Sequence, residues 1–91
     1  MVEQYRIVIS KTAKKDKDKI KEMPAIKKKV EQLIKVLEVN PYQNPPSYEK
    51  LSGEYRHLYS RRINRQHRLV YKIDEEQKVV MIISMWTHYA F

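Results

Sequence analysis

Three kinds of side chain in the second half of the chain could together cleave RNA. Metal-free cleavage needs a base for the 2′-hydroxyl, positive charge beside the phosphate, and an acid for the leaving 5′-oxygen. Glu49 is a candidate base. His88, followed by Tyr89, is a candidate acid, because an ordinary histidine pKa of about 6.5 allows proton donation near neutrality. The candidate phosphate ligands are four arginines of one predicted hairpin: Arg61, Arg62, Arg65 and Arg68.

The charge of the chain indicates a polyanionic partner, with nucleic acid the first choice. The sequence has 91 residues, of which 19 are basic and 11 acidic, for a formal net charge of +8. All 13 lysines and one arginine lie outside residues 56–68, whereas the other five arginines lie inside this window, which has no acidic residue. Lysine suits long-range attraction, and arginine suits two-point contact with a phosphate. Two distinct basic regions are therefore predicted.

Length and composition exclude several kinds of protein. A chain this short has room for one modest core, so we expect a single domain over residues 1–91. No apolar run approaches the roughly 20 residues that cross a bilayer, and the polar N-terminus does not resemble a signal peptide. Cysteine is absent and the three histidines are scattered, so no metal or other cofactor is predicted. The expected location is cytoplasmic, with no membrane partner.

The elements that must position these residues follow from hydrophobic periodicity and from capping residues. Alternation predicts a strand over Tyr5–Ile9, and Ser10 is placed to cap a helix over Lys11–Met23. Pro24 begins a second helix, which Asn40-Pro41 ends. After a proline-rich linker, three strands are predicted: Tyr55–Ile63, His67–Ile73 and Lys78–Tyr89. The fold class is therefore α+β, with an N-terminal strand, a two-helix hairpin and an antiparallel three-stranded meander.

The helices should cover one face of this sheet and leave the other face open. In the middle strand of the meander, Arg68 and Val70 are expected on the open face. In the last strand, Ser84 and Trp86 share one face, and Trp86 could stack on a nucleobase or pack at the sheet edge. The strand over residues 55–63 does not alternate cleanly, so its two faces are not assigned.

The most specific motifs are YSRRINRQHRLVY at residues 59–71, SMWTHY at residues 84–89 and NPYQNPP at residues 40–46. Through them the chain resembles the Txe/YoeB toxins of the RelE/ParE superfamily of toxin–antitoxin modules. The resemblance implies a RelE-like fold and an mRNA interferase, a ribosome-dependent endoribonuclease that attacks through the 2′-hydroxyl without a metal. It also implies a cognate antitoxin with an acidic, partly disordered tail, and the 70S ribosome and mRNA as further partners. A homodimer is left open.

The same resemblance implies a role for each candidate residue. Glu49 in YEKL matches the general base, and Arg68 in QHRLVY matches the arginine that stabilises the transition state. His88 matches the general acid, and Tyr89 matches the tyrosine that positions the substrate. The expected RNA and phosphate ligands are three further arginines: Arg61, Arg62 and Arg65.

The alternative is a non-catalytic binder of the same superfamily, which would bind nucleic acid or block a protein target such as gyrase. A binder needs neither a base nor an acid beside an arginine cluster, so the combination of Glu49, Arg68 and His88 favours the ribonuclease. Two positions depart from the pattern of the family. His57 replaces a common glycine, and Ser52 replaces a common basic residue.

Overall fold

The fold combines two helices with a sheet that has more strands than periodicity predicts. The computed structural model describes residues 4–86. Its helices and strands, in chain order, are β1 (Arg6–Ile9), α1 (Lys11–Ile20), α2 (Pro24–Val39), β2 (Glu49–Lys50), β3 (Tyr59–Arg62), β4 (Arg68–Asp74) and β5 (Val79–Ser84). Within residues 4–86 the five strands form one sheet in the order β1-β5-β4-β3-β2. β1 pairs in parallel with β5, and the other pairs are antiparallel. The α+β class and the β3–β4–β5 meander are confirmed.

Both helices begin where their capping residues predict. The Ser10 Oγ accepts the N–H of Ala13 at 3.1 Å, and Pro24 is the first residue of α2. α1 ends at Ile20, earlier than the predicted Met23. The ring of a proline disfavours helical conformation in the residue before it, and Met23 accordingly has φ −121° and ψ 83°.

The helices pack on one face of the sheet and form the apolar core with β4 and β5. The core residues from the helices are Ala13, Ile20, Val30, Leu33 and Leu37. Those from β4 and β5 include Leu69, Tyr71, Val80 and Ile82, each fully buried. Burial of this apolar surface is the main favourable contribution to folding. Because β4 contributes fully buried residues to the core, its backbone is fixed in position.

One residue expected to be open to solvent is buried instead. Val70 pairs with Ser60 of β3 and lies two residues after Arg68, so it shares their face of the sheet as predicted, but it is 0% exposed. The prediction of an open position was therefore wrong for Val70. In the last strand, Ser84 is 4% exposed and its hydroxyl donates to Asp16 of α1 at 3.3 Å, so Ser84 lies on the side of the sheet that the helices cover.

The linker between α2 and β3 contributes a strand to the sheet. Its residues Glu49 and Lys50 form β2, which pairs with the edge of β3. A 3₁₀ turn over Gly53–Tyr55 then reverses the chain, and Gly53 has a φ of 66°, in the left-handed region that favours glycine. β3 consequently begins at Tyr59, later than predicted. β5 ends at Ser84, and the rest of the predicted last strand includes residues 87–89, which lie outside the described part of the chain.

Candidate active site

The pairing of β2, β3 and β4 brings three of the predicted site residues together. Glu49 of β2 pairs with Ser60 of β3, and Arg62 of β3 pairs with Arg68 of β4. Paired residues on neighbouring strands project from the same face, and so do residues two apart on one strand. Glu49, Arg62 and Arg68 therefore lie on one face of the sheet.

Among residues 4–86, Ser60 and Glu49 hold the guanidinium of Arg68. Its Nε donates to the Ser60 Oγ at 2.7 Å, and its Nη2 donates to the Glu49 Oε1 at 2.7 Å. The side chain of Arg68 is 16% exposed, whereas that of Glu49 is 62% exposed. The guanidinium is therefore anchored from within the sheet while the carboxylate remains accessible to a substrate.

A cavity lies beside this pair of residues. It has a volume of about 290 Å³, and its lining residues are Ser47, Tyr48, Glu49, Arg62 and Arg68. Two guanidinium groups outweigh the single carboxylate, so the lining carries net positive charge. Such a cavity can hold a phosphate group by hydrogen bonds from the arginines while the carboxylate reaches a neighbouring hydroxyl.

Stability does not explain this arrangement. An ion pair with one partner as exposed as Glu49 contributes only about 0.2–1 kcal/mol to folding. The fold depends instead on the apolar core on the other face of the sheet. The convergence of Glu49, Arg62 and Arg68 at a cavity is therefore better explained by what the cavity binds.

Arg61 lies inside the protein, and this placement corrects its assignment as a phosphate ligand. Its side chain is fully buried, with Nε donating to the Tyr71 hydroxyl at 3.0 Å and Nη2 donating to the Pro41 carbonyl at 2.9 Å. Nη1 donates to the Pro46 carbonyl, and the guanidinium carbon lies 4.9 Å from the centroid of the Tyr48 ring. All three guanidinium nitrogens thus have partners within the protein.

The buried contacts of Arg61 fasten the linker to the sheet. Pro41 and Pro46 belong to the segment that leads from α2 to Glu49, and both carbonyls bond to the same guanidinium. Burial raises the pKa of Tyr71 to about 12, although Arg61 acts in the opposite direction. Tyr71 is therefore a neutral hydroxyl at physiological pH. Arg61 acts on the site indirectly, by holding the segment that carries Glu49.

The other predicted site residues fall in three places. Arg62 is exposed and lines the cavity, and its role as a phosphate ligand stays a prediction. Arg65 is exposed in the turn between β3 and β4 and is not among the described residues that line the cavity. His88 and Tyr89 lie outside the described residues, so their roles stay predictions.

Ser60 is a site residue that sequence reasoning missed. It is fully buried, and its hydroxyl accepts the hydrogen bond that orients Arg68. A signal was available, because Ser60 lies two residues before Arg62 and so shares its face on a strand. The lack of clean alternation over residues 55–63 concealed that signal. Ser47 and Tyr48, which directly precede Glu49, are further cavity residues that were not singled out.

Two other kinds of site are not found between residues 4 and 86. There, no group of three histidine, aspartate or glutamate side chains could hold a metal ion. The helices of this region also include none with the length and apolar character needed to cross a membrane.

Comparison with known proteins agrees with the fold and with the sequence motifs. A family model described as the YoeB-like toxin of bacterial type II toxin–antitoxin systems matches residues 10–89. No curated protein matches the sequence at a significant level. A YoeB/ParE toxin from Agrobacterium tumefaciens shares the fold, with a TM-score of 0.85 and 24% identity over 92% of this chain and 99% of that one.

Two structures from Staphylococcus aureus are more similar in sequence. One is a YoeB–YefM complex, whose matching chain is 32% identical with a TM-score of 0.80, over 94% of this chain and 99% of that one. The other is a YoeB dimer, 31% identical with a TM-score of 0.80 over the same shares of both chains. The family match spans most of the sequence and includes every residue at the cavity. This chain therefore belongs to the YoeB-like toxins of bacterial type II toxin–antitoxin systems.

Proposed function

We propose that this toxin is an endoribonuclease that cleaves mRNA on the ribosome by attack of a 2′-oxygen on the adjacent phosphorus. The 2′-oxygen forms a bond to phosphorus and loses its proton, while the bond to the 5′-oxygen of the next nucleotide breaks. The products are a 2′,3′-cyclic phosphate, or the 3′-phosphate formed from it, and a free 5′-hydroxyl. Each step is assigned to a side chain, and no metal takes part.

Glu49 and the two cavity arginines have separate roles in the attack of the 2′-oxygen on phosphorus. The Glu49 carboxylate takes the proton of the 2′-hydroxyl, because it is exposed at the mouth of the cavity and adjacent to the phosphate position. Arg68 stabilises the negative charge that builds on the phosphate oxygens, and Arg62 holds the phosphate. His88 protonates the leaving 5′-oxygen, and Tyr89 positions the substrate; the family resemblance is the support for these two roles.

The observation that carries the proposal is the contact of Arg68 with both Ser60 and Glu49 at the edge of a positively charged cavity. A guanidinium already fixed in orientation needs no rearrangement when charge develops on a phosphate. Preorganised donors of this kind supply a large part of the rate enhancement in many enzymes. A simple binding surface would not require a carboxylate at the same position, since it would repel the phosphate.

Dependence on the ribosome is supported by the lysines of the helical layer. Nine lysines lie between residues 11 and 29, and all of them except the half-buried Lys29 are exposed. Clustered lysines attract polyanions over long distances without reading their sequence. Ribosomal RNA is a polyanion of suitable size, and docking through the helices would leave the cavity on the opposite face available to mRNA.

An acidic antitoxin segment is the second proposed partner. A flexible chain rich in aspartate and glutamate could place a carboxylate at the phosphate position and order as it binds. Hydrogen exchange of the toxin with and without the product of the neighbouring gene tests this partner. We expect protection of β2, β3 and β4, and protection limited to α1 would instead indicate a block that leaves the cavity uncovered.

The reaction is tested with a programmed ribosome and an mRNA of defined sequence. After the wild-type cleavage site has been mapped, a single 2′-deoxynucleotide on its 5′ side should abolish cleavage without weakening ribosome binding. A 2′-deoxynucleotide one position further downstream is the matched control and should be cleaved. Fragments with a 5′-phosphate, or cleavage at the modified position, would contradict the proposal. Binding without any cleavage of unmodified mRNA would favour the alternative function of a non-catalytic binder.

A further inference from the structure

A buried carboxylate on α1 contacts the chain where β5 ends. Asp16 is 6% exposed, and its Oδ2 accepts the N–H of Met85 at 3.1 Å and the hydroxyl of Ser84 at 3.3 Å. In residues 4–86 no lysine, arginine or histidine forms an ion pair with it. A carboxylate is costly to bury unless hydrogen bonds compensate for its lost hydration. The two contacts with Ser84 and Met85 are therefore what holds Asp16 in this position.

The position of Asp16 in its helix makes the carboxylate unusual. Ala13, Asp16 and Ile20 are the buried residues of α1, at the spacing of a single helix face. An apolar side chain is the ordinary occupant of such a position. Asp16 instead supplies an acceptor for the backbone of Met85, the first residue beyond the end of β5.

A second contact from the same helix holds the next residue. The Trp86 ring stacks on the His67 ring, with 4.4 Å between centroids and an interplanar angle of 26°. The Lys19 Nζ lies 5.7 Å from the centroid of the Trp86 ring. Lys19 is three residues after Asp16, so both side chains project from neighbouring positions of α1. Residues 84–86 are consequently held by α1 on one side and by His67 on the other.

We infer that Asp16 is a positioning residue for the C-terminal segment that carries His88. The inference rests on the proposed function, in which His88 is the general acid. Met85 is three residues before His88, so the direction of the backbone at Met85 limits where His88 can reach. By fixing that direction through the Met85 N–H, Asp16 links the lysine-rich helix to the proton-donating end of the site.

The experiment compares Asp16→Ala and Asp16→Asn with Asp18→Asn as the matched control. Asp18 has the same charge on the same helix but is exposed. Asparagine keeps an acceptor oxygen for the Met85 N–H and has nearly the shape of aspartate, whereas alanine removes the acceptor. Trp86 is the only tryptophan in the sequence, so fluorescence quenching by acrylamide reports directly on the held segment. Single-turnover cleavage on saturating ribosomes and ribosome affinity are measured in parallel.

We expect Asp16→Ala to increase quenching of Trp86 and to lower the single-turnover rate roughly 10- to 100-fold, since a displacement of about 1 Å can cost this much. Ribosome affinity should not change, Asp16→Asn should recover most of the rate, and Asp18→Asn should match the wild type. A purely structural role would lower the melting temperature of both Asp16 variants without this rescue of the rate.

Three results would overturn the inference. The first is unchanged Trp86 quenching in folded Asp16→Ala, which would show that the carboxylate does not hold the segment. The second is increased quenching with a normal cleavage rate, which would show that the held segment does not position the acid. If Asp16→Ala does not fold, Asp16→Leu replaces it, because leucine fills the buried position without an acceptor. The third result is a wild-type cleavage rate in Asp16→Leu. Failure of the proposed function is distinguishable, because the wild type itself would then cleave no mRNA.

Discussion

At the scale of single residues, neighbouring arginines have different roles because successive residues of a strand project to opposite faces. Arg62 of β3 lines the cavity, and Arg61 beside it is enclosed by Tyr71 and the carbonyls of the proline-rich linker. Arg68 is also held, but through Ser60 and Glu49, which leaves its side chain partly exposed. One arginine thus supports the linker from inside the protein, and two line the cavity.

Replacement of Arg68 should separate chemistry from binding. Under the proposed function, Arg68→Ala removes a donor directed at the charge of the transition state, and we expect the single-turnover rate to fall about 10²- to 10³-fold. Ribosome affinity should change little, because the proposed function assigns most of the attraction to the lysines of the helices. Single-turnover assays and ribosome-binding assays measure the two quantities. Arg65→Ala, at the exposed turn, is the control, and weakened binding with unchanged chemistry in Arg68→Ala would show the assignment to be wrong.

Replacement of Arg61 and Arg62 should have opposite consequences. Arg61→Met leaves two linker carbonyls and the Tyr71 hydroxyl without their donor, and each buried unpaired group costs about 1–3 kcal/mol. We expect the free energy of unfolding, from urea denaturation, to fall by at least about 2 kcal/mol. Arg62→Met should change stability by less than about 0.5 kcal/mol and should lower the cleavage rate. Equal stability losses in the two variants would contradict the different placements of these side chains.

At the scale of elements, a polar cluster joins the β4–β5 turn to the residue before β1 and to the segment after α2. The Glu75 Oε1 accepts the hydroxyls of Tyr5 and Tyr42, both at 2.8 Å, and its Oε2 accepts the Lys78 ammonium at 2.9 Å. Tyr42 also packs edge to face with Tyr59 of β3. Through Tyr42, the cluster therefore helps to hold the linker near the sheet.

The Glu75 cluster should make the stability of the fold depend on pH in the acid range. The hydrogen bonds from Lys78, Tyr42 and Tyr5 lower the pKa of Glu75 from 4.5 to about 2. Because the folded-state pKa is below the unfolded-state value, the stabilisation is complete above the unfolded value of 4.5 and is lost as the pH falls toward 2. The difference in melting temperature between wild type and Glu75→Gln should therefore be present at neutral pH and should disappear near pH 2. Glu76→Gln is the control, and a difference that persists unchanged at the acid end would refute the linkage.

At the scale of the whole molecule, the two kinds of positive charge lie on separate layers. The lysines lie mainly on α1 and the beginning of α2, whereas Arg62 and Arg68 lie on the sheet at the cavity. Lysines, which suit long-range attraction, are therefore kept apart from the two arginines at the cavity. Under the proposed function, this separation should allow ribosome binding and cleavage to be changed independently.

Neutralising helix lysines should affect binding alone. We expect a variant with Lys14, Lys15, Lys27 and Lys28 changed to glutamine to bind ribosomes more weakly. The slope of log affinity against log salt should also become shallower, by about 0.7–0.9 for each phosphate that the variant no longer neutralises. Titration of ribosome binding at several salt concentrations measures both effects. The single-turnover rate on saturating ribosomes should equal that of the wild type. Lys72→Gln is the single-lysine control. A lower single-turnover rate at saturation would show that these lysines take part in the chemical step.

Much of the architecture and of the site follows from the sequence by itself. Ser10 and Pro24 mark the starts of the helices because capping and the fixed φ of proline act within a few residues. The residue types and motifs selected Glu49, Arg62 and Arg68, which meet at the cavity, but they also selected Arg61, which is buried, and Arg65, which does not line the cavity. The α+β class also follows, since strand and helix periods differ and appear in a clear order.

Only the tertiary structure decided which face each residue occupies and which distant partners it meets. The start of β3 at Tyr59 sets Arg61 inward and Arg62 outward, and that start depends on the turn at Gly53 and on the pairing with β2. The burial of Ser84 and the role inferred for Asp16 both depend on the docking of α1, whose Asp16 accepts hydrogen bonds from Ser84 and Met85. Local preferences act over a few neighbouring residues, whereas strand register and helix docking are fixed by contacts between residues that are far apart in sequence. For that reason the sequence determined the chemistry available to this protein, and the packing of its helices and strands decided which side chains can use it.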